Sequence, residues 1–564
     1  MTSYDSLYQT WLAHTTGALH DELLAIAGDD AAIADRFYQT LAFGTAGLRG
    51  VMGAGTNRMN CYTVGLAARG LADTLENRTV AIGYDCRHHS EEYARHTASV
   101  LAAAGVEVWI YRELMPTPML SYAVRQLRCG AGVMITASHN SAEYNGFKCY
   151  GPDGCQMTDE SADAVLQAMQ RLDLFAVPAE DFDAALLAGK IHFIDDALIE
   201  SYYQAVMTQS VQPELVPQSG LKVLYTPLCG TGNKPVREIL RRLGVPTVAV
   251  VRSQELPDGS FATCPSPNPE TPSAWNEALA QAPELNPDII LATDPDADRM
   301  GVTVPDGQGG YVTLTGNEIG CLMLDYLLRS RRIKGTLPAR AVAVKSIVST
   351  PMAKAIADAY GCEMRDVLTG FKYIGETILH LEQAGEAERF VFGFEESSGF
   401  LAGTHARDKD AVVAAMLLCE LAADARTRGL TLLEEREALY ARFGFYVAQV
   451  DSQVFPGQAG AAEMQAFMEQ LRQNPPAELA GMAVTERLDY RERTHTFADG
   501  RVEPLTLPRS NVLCFRMGDK VQLIARPSGT EPKLKLYYSA AADTRKAAHD
   551  MVAALREEMS RRLK

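Results

Sequence analysis

The chain has 564 residues, with 53 Lys and Arg against 70 Asp and Glu, and so a formal net charge of −17. Its 47% apolar and 22% charged residues are ordinary for a globular protein, which excludes a disordered, collagen-like or low-complexity chain. The acidity argues against a nucleic-acid partner, whose phosphates call for a broad basic surface. A small anionic substrate stays open, because a few Arg and Lys can converge locally. At about 150 residues per domain the length corresponds to roughly four domains.

Residues 1–18 show neither the basic nor the apolar segment of a secretion signal. Residues 21–26 and 31–41 read as two amphipathic helices packed on the first domain. One phrase then occurs three times: a buried strand, helical sequence, and a second buried strand ending in a polar loop. The first copy runs from residues 79–83 to 132–136 and ends in A-S-H-N, and the second from 221–225 to 288–292, ending in D-P-D-A-D. The third runs from 341–344 to 389–392 and ends in G-F-E-E-S-S-G. Short apolar runs alternating with helices predict mostly parallel α/β sheets, whose ligands bind beyond the carboxyl ends of the strands. The most apolar stretch, residues 411–419, is interrupted by Glu420 and Asp424, so no membrane span is expected. From Tyr446 onward the pattern changes to strands, with runs at 521–525 and 534–538 around R-P-S-G-T-E-P, and a basic helix at 544–564, which predicts an α+β domain. The eleven Cys have no regular spacing and read as reduced thiols of a cytoplasmic protein; the eleven His form no cluster, so zinc is not expected.

Asp294, Asp296 and Asp298 alternate directly after an apolar strand. Three carboxylates this close repel one another unless a cation is bound, and oxygen ligands favour Mg²⁺ or Ca²⁺. An EF-hand fails, because Arg299 stands at its sixth position and Pro305 at its twelfth. The haloacid-dehalogenase pattern D-x-D-x-[TV] fits in part, with Asp298 as its fifth residue. Ser138, in T-A-S-H-N, lacks a G-x-S-x-G elbow, so a phosphoryl-carrying serine is simpler than a hydrolase triad. The stretch G-T-G-N-K-P from Gly230 has Pro235 where a dinucleotide fingerprint has its third Gly, and the stretch from Gly44 to Gly50 fits no better. Arg526 with Ser528, Gly529 and Thr530 has the composition of an anion nest. Arg49, Lys148, Arg299, Lys372, Arg407 and Lys409 lie in or beside similar loops.

Four motifs in this order resemble the α-D-phosphohexomutase family, which includes phosphoglucomutases and phosphomannomutases: T-A-S-H-N at 136–140, D-x-D-x-D-R at 294–299, G-x-E-x-S at 393–397 and R-x-S-G-T at 526–530. The opening F-G-T-A-G-L-R-G and the G-T-H-A-R-D-K-D stretch are similar to the branch that holds larger glucose- and pentose-phosphate mutases. Ser141 departs from the Pro common in relatives. The resemblance implies three similar α/β domains with mixed, mostly parallel sheets plus a C-terminal α+β domain, heart-shaped around a central cleft. The expected domains are residues 1–208, 209–316, 317–445 and 446–564.

The same resemblance implies that Ser138 carries a phosphoryl group and that Mg²⁺ bridges it to Asp294, Asp296 and Asp298. Lys148 would carry a proton, Arg49 clamp the phosphoryl group, and His139 orient the loop or act as acid or base. Glu395 and Ser397 would bind sugar hydroxyls, and Arg526, Ser528, Gly529 and Thr530 the phosphate that is not reacting. Arg299, Thr369, Gly370, His405, Arg407 and Lys409 complete the expected substrate site. The expected reaction interconverts glucose 1-phosphate and glucose 6-phosphate, with glucose 1,6-bisphosphate as activator. The alternatives are a phosphopentomutase, a phosphomannomutase or a sugar bisphosphate synthase. Sugar phosphates are the expected partners; no nucleic acid, membrane or obligate protein partner is inferred.

Overall fold

The computed structural model describes residues 3–44, 47–455, 457–528 and 533–563, with the side chains of residues 457 and 458 left aside. Three helices, not two, open the chain: Ser3–His14, Gly17–Ala25 and Asp30–Phe37. Gly17 at φ +60° and Gly28 at φ +85° make the breaks between them. Their apolar faces, with Trp11, Leu23 and Phe37 buried, close a small core of their own.

Three mixed sheets follow, each with a parallel centre and an antiparallel edge. The first orders its strands Leu48–Val51, Tyr144–Tyr150, Ala131–Ile135, Thr79–Tyr84, Glu107–Ile110 and Ile191–Phe193. Its last four run parallel, and Tyr144–Tyr150 is antiparallel to both neighbours. The second sheet sets Ile289–Thr293 parallel to Lys222–Thr226 and antiparallel to Met300–Pro305. The third sets Val342–Ser346 between two parallel neighbours, Glu363–Val367 and Phe390–Glu395. The strands Ile289–Thr293 and Val342–Ser346 are buried at every position, which is why each opens on an apolar run, 289–292 and 342–344, rather than an alternation.

The C-terminal part is a seven-stranded antiparallel sheet with Lys533–Ala542 and Val521–Pro527 near one edge. The terminal helix Arg545–Arg562 packs on it together with Gly457–Gln473, a helix not among the sequence expectations.

The helix Ala411–Thr427 runs through the largest core and is almost wholly buried. The two charges that interrupt its apolar sequence anchor the linker between the first and second sheets. Glu420 accepts hydrogen bonds from the amides of Val211 (2.7 Å) and Gln212 (2.8 Å), from Tyr326 Oη (2.6 Å), and from Ser210 Oγ. Asp424 pairs with Arg329 and Arg428, each at 2.8 Å. Glu420→Ala would strand several buried donors at once. It is expected to destabilise the protein by about 3 kcal/mol, read as a lower melting temperature, with Glu420→Gln, which keeps an acceptor, losing less.

Candidate active site

The strand Ala131–Ile135 runs into the T-A-S-H-N loop, where Ser138 sits at φ +52°, in the left-handed region. A non-glycine residue stays there only when its surroundings over-determine it. The Ser138 amide donates to Thr136 Oγ1 (2.8 Å), and the Thr136 hydroxyl donates to Asp85 Oδ2 (2.6 Å). The enclosed guanidinium of Arg87 donates to the carbonyls of Ser138 (2.6 Å), Ser141 (2.7 Å), Tyr144 (3.0 Å) and Asn140, and pairs with Asp85 at 3.3 Å. Phe261, from the second unit, stacks on that guanidinium at 4.9 Å. Asp85 and Arg87 escape the sequence reading; the available signal is a D-C-R triplet directly after a buried strand. At the position where relatives have Pro, Ser141 is held by Arg87 through its carbonyl and by Glu143 Oε1 through its hydroxyl (2.8 Å).

Asp294, Asp296 and Asp298 follow the strand Ile289–Thr293, and all three are buried. One carboxylate oxygen from each lies within 4.8 Å of the others. Asp294 Oδ1 accepts the amides of Asp298 (3.1 Å) and Arg299 (3.0 Å), and its Oδ2 accepts the Ser138 hydroxyl (2.8 Å). Asp296 Oδ2 accepts Lys148 Nζ (2.6 Å) and Thr117 Oγ1 (2.9 Å). Asp298 Oδ2 lies 3.5 Å from Lys148 Nζ and 3.3 Å from Lys409 Nζ. Oδ1 of Asp296 and Oδ1 of Asp298 are buried with no hydrogen-bond partner. Orphaned, clustered carboxylate oxygens are the donor set a hard divalent cation takes, so the residues fit Mg²⁺.

Burial pushes Asp294 well above the usual carboxylate range, with Asp296 and Asp298 adding to it. Burial raises Asp298 as well, helped by Asp296. At Asp296 burial is outweighed by Lys148, which holds it below its ordinary value. Burial alone would lower Lys148; Asp296 and Asp298 reverse that and keep it a cation.

The glycine-rich stretch after the strand Lys222–Thr226 supports this loop. A Cβ on Gly230 would lie 2.5 Å from Pro295 Cα, and the Thr231 amide donates to Pro295 O (2.8 Å). Gly230 therefore allows close backbone approach, and Gly232 makes room for Tyr225 Oη and Thr293 Oγ1, 2.5 and 2.6 Å from where its Cβ would lie. Gly47, at φ +74°, serves the other side of the site: a Cβ there would lie 1.7 Å from Phe147 O. Its absence seats the strand Leu48–Val51, and Arg49 on that strand donates to Asn140 Oδ1 (3.3 Å).

The third sheet brings its loop against the metal loop. Arg299 bridges to Gly399 in antiparallel fashion, its Nη1 donates to Ser397 O (3.0 Å), and the Met300 amide donates to Ser398 O (3.0 Å). Glu395 Oε1 accepts the Gly370 amide (2.8 Å), which joins the Thr369–Gly370 turn to the same loop. Three sequence-predicted cations are placed differently. Arg407 is wholly enclosed, its guanidinium bound to Glu382 (2.5 Å) and Thr404 O (2.5 Å) and its amide donating to Ser121 Oγ (2.9 Å) of the first unit. His405 Nε2 pairs with Asp410 Oδ2 at 2.7 Å, and Lys372 bridges to Asp159 at 2.9 Å. The Lys372 bridge joins the third unit to the first, and the Arg407 and His405 pairs lie within the third.

Arg526 and Ser528 line a cavity of about 590 Å³ together with Arg49, His139 and Asn140 of the first unit. Lys533 and Lys535, which sequence reasoning passed over, line it too, and Lys535 stands opposite Arg526 in the sheet register. The described lining thus has four cationic side chains and no carboxylate, inside a protein of net charge −17. Gly529 and Thr530 lie outside the described residues. Burial, with Arg299 and Arg49 adding, lowers His139 well below its ordinary 6.5.

Comparison with known proteins gives this arrangement a family. Models of the phosphoglucomutase/phosphomannomutase alpha/beta/alpha domains I, II and III match residues 40–175, 200–308 and 315–443. The chain belongs to that family. It is 37% identical over 512 residues to a phosphoglucomutase of Staphylococcus haemolyticus, covering 89% of this chain and 91% of that one. A phosphoglucomutase of Staphylococcus epidermidis is 38% identical over 514 residues, with the same coverage. The fold is similar to that of a phosphoglucomutase/phosphomannomutase family protein from Burkholderia thailandensis, with 19% identity, 93% of this chain and 96% of that chain covered, and a TM-score of 0.67. It is likewise similar to the open form of parafusin, a phosphoglucomutase from Paramecium, with 16% identity, 93% and 95% covered, and a TM-score of 0.67.

Two outcomes follow from the geometry of the family's serine loop in this chain. Arg87→Met removes the clamp on four carbonyls, and a displacement of Ser138 by about 1 Å is expected to cost about 100-fold in kcat, measured in a steady-state assay. His139, lowered by burial, stays neutral at pH 6.5 and above and protonates only below. His139→Gln is therefore expected to leave the shape of the pH–rate profile between pH 6.5 and 9 unchanged; an ionisation lost from that range is the contrary result.

Proposed function

We propose that the chain is a phosphoglucomutase that interconverts glucose 1-phosphate and glucose 6-phosphate through a phosphorylated Ser138 and a glucose bisphosphate. The observation that carries this reading is Ser138 Oγ held 2.8 Å from Asp294 beside two unpartnered carboxylate oxygens. The serine's own loop lines the cation-rich cavity shared with the C-terminal sheet. Glucose is favoured over other sugars by the curated phosphoglucomutases at 37% and 38% identity.

Asp294, Asp296 and Asp298 would hold Mg²⁺, which when bound offsets charge on the transferring phosphoryl oxygens. The free hydroxyl of the sugar phosphate attacks phosphorus, the bond from phosphorus to Ser138 Oγ breaks, and Oγ regains the proton that the sugar hydroxyl gives up. The bisphosphate then turns round and its other phosphoryl group passes to Ser138 in the reverse sense. Arg49, beside Asn140, clamps the transferring group. Lys148, held by Asp296 and Asp298, stands as a cation beside the phosphoryl oxygens and is the candidate that carries the proton between the sugar hydroxyl and Ser138 Oγ. Glu395 has one oxygen committed to Gly370, which leaves the other for a sugar hydroxyl. Arg526, Ser528, Lys533 and Lys535 receive the phosphate that is not reacting, in either orientation of the sugar. Escape of the bisphosphate leaves Ser138 unphosphorylated, which explains why added glucose 1,6-bisphosphate would activate. Among the described residues no helix is long and apolar enough to cross a membrane. All eleven cysteines are free, as suits the reducing cytoplasm where the substrate would be met.

The test compares kcat/KM for glucose, mannose and ribose 1-phosphates with Mg²⁺ and catalytic glucose 1,6-bisphosphate. Glucose 1-phosphate is expected to be the best substrate, with turnover abolished in Ser138→Ala. A preference for ribose 1-phosphate contradicts the substrate, and turnover that survives Ser138→Ala contradicts the mechanism.

A further inference from the structure

Asp408 is a buried carboxylate next to the metal loop that the mechanism above does not use. Its two oxygens face different parts of the molecule. Oδ1 accepts Lys409 Nζ (2.9 Å) and the Lys409 amide (2.8 Å), both within the third unit. Oδ2 accepts Tyr150 Oη (2.9 Å) and Gln156 Nε2 (3.3 Å), both from the first unit. Tyr150 follows Lys148 by two positions in the strand Tyr144–Tyr150, so the two side chains leave the same face of the sheet. Lys148 reaches Asp296 and Asp298 from one side, and Lys409 reaches Asp298 Oδ2 from the other. The stem of Lys409 lies across Gly399, where a Cβ would sit 2.2 Å from its Cδ.

The chain of contacts therefore runs from Tyr150 through Asp408 and Lys409 to one oxygen of Asp298, and the other oxygen of Asp298 makes no hydrogen bond, with Arg299 Nε 3.8 Å away. We propose that Asp408 is a positioning residue for phosphoryl transfer: tied to Tyr150, it fixes Lys409 on Asp298 Oδ2, so that Asp298 Oδ1 stays turned toward the metal. This rests on the metal reading given under Proposed function. The physical ground is that a ligating carboxylate with one oxygen pinned has lost the rotation that would otherwise compete with metal binding. Without Asp408, Lys409 keeps Asp298 as its ion-pair partner, loses the anchor on its other side and is free to draw the carboxylate round.

The experiment uses the full-length protein, with Mn²⁺ affinity read from the electron paramagnetic resonance signal of the free ion, and kcat and KM for glucose 1-phosphate measured alongside. Asp408→Asn is expected to weaken Mn²⁺ binding by about tenfold or more and to lower kcat with KM unchanged. That variant also removes a negative charge, so two uncharged changes decide between positioning and simple attraction. Tyr150→Phe releases Asp408, and Gly399→Ala displaces the Lys409 stem; both are expected to weaken Mn²⁺ binding by a smaller factor, with KM unchanged. Mn²⁺ affinity equal to wild type in folded Tyr150→Phe and Gly399→Ala overturns the proposal, even where Asp408→Asn fails to fold. A wild-type chain that binds no Mn²⁺ overturns the metal reading, and this proposal with it.

Discussion

Three buried carboxylates at the end of one strand are the constraint on which the rest of the molecule depends. With oxygens within 4.8 Å of one another, each pair of charges repels by about 3 kcal/mol at an effective dielectric constant of about 20. The second unit, which supplies all three, has Arg299 within reach, its Nε 3.8 Å from Asp298 Oδ1, but the closer cations come from its neighbours. Lys148 comes from the first unit and Lys409 from the third, and each stands against Asp298. The triad therefore holds together only where three units meet, and the place of meeting becomes the site. A backbone bridge from Arg299 to Gly399 also ties the aspartate loop to the turn after the strand Phe390–Glu395.

The charge distribution around this point is divided by task. Carboxylates crowd where a divalent cation would sit, and cationic side chains crowd the cavity shared by the serine loop and the C-terminal sheet. Serine 138 stands at the junction, its hydroxyl on Asp294 and its neighbours His139 and Asn140 on the cavity. Such a division suits a doubly phosphorylated sugar, with one phosphate for the metal side and one for the basic side. A bulk charge of −17 does not oppose it, because the field that a small ligand meets is set by the cleft lining.

Much of this was legible in the sequence, and for one reason: strands buried on both faces announce themselves as apolar runs, and the polar loops at their ends stand out by contrast. Ser138, the aspartate triad and Glu395 stand out in that way, whereas Arg526 is read from a hydroxyl- and Gly-rich turn and lies at the end of the antiparallel strand Val521–Pro527. What escaped lay where no such contrast exists. Arg87 works by bonding carbonyls distant in sequence, and Lys535 is one alternate residue of a strand in a sheet whose register the pattern does not give. Arg407 was misplaced because a basic residue in a loop reads alike whether it faces a ligand or, as here, is enclosed against Glu382. Gly457–Gln473 was passed over although Met464, Phe467, Met468 and Leu471 stand at helical spacing and face the core, because the Ala, Gln and Gly around them read as a loop.

The most direct measurement follows the phosphoryl group itself. Full-length protein would be incubated with Mg²⁺ and glucose 6-phosphate bearing a radiolabelled phosphate, digested, and the label mapped by peptide. Label on the peptide containing Ser138, lost again on a chase with unlabelled glucose 1-phosphate, is the expected result. Active turnover with no label on Ser138 would contradict the central claim that this serine passes the phosphate between the two ends of the sugar.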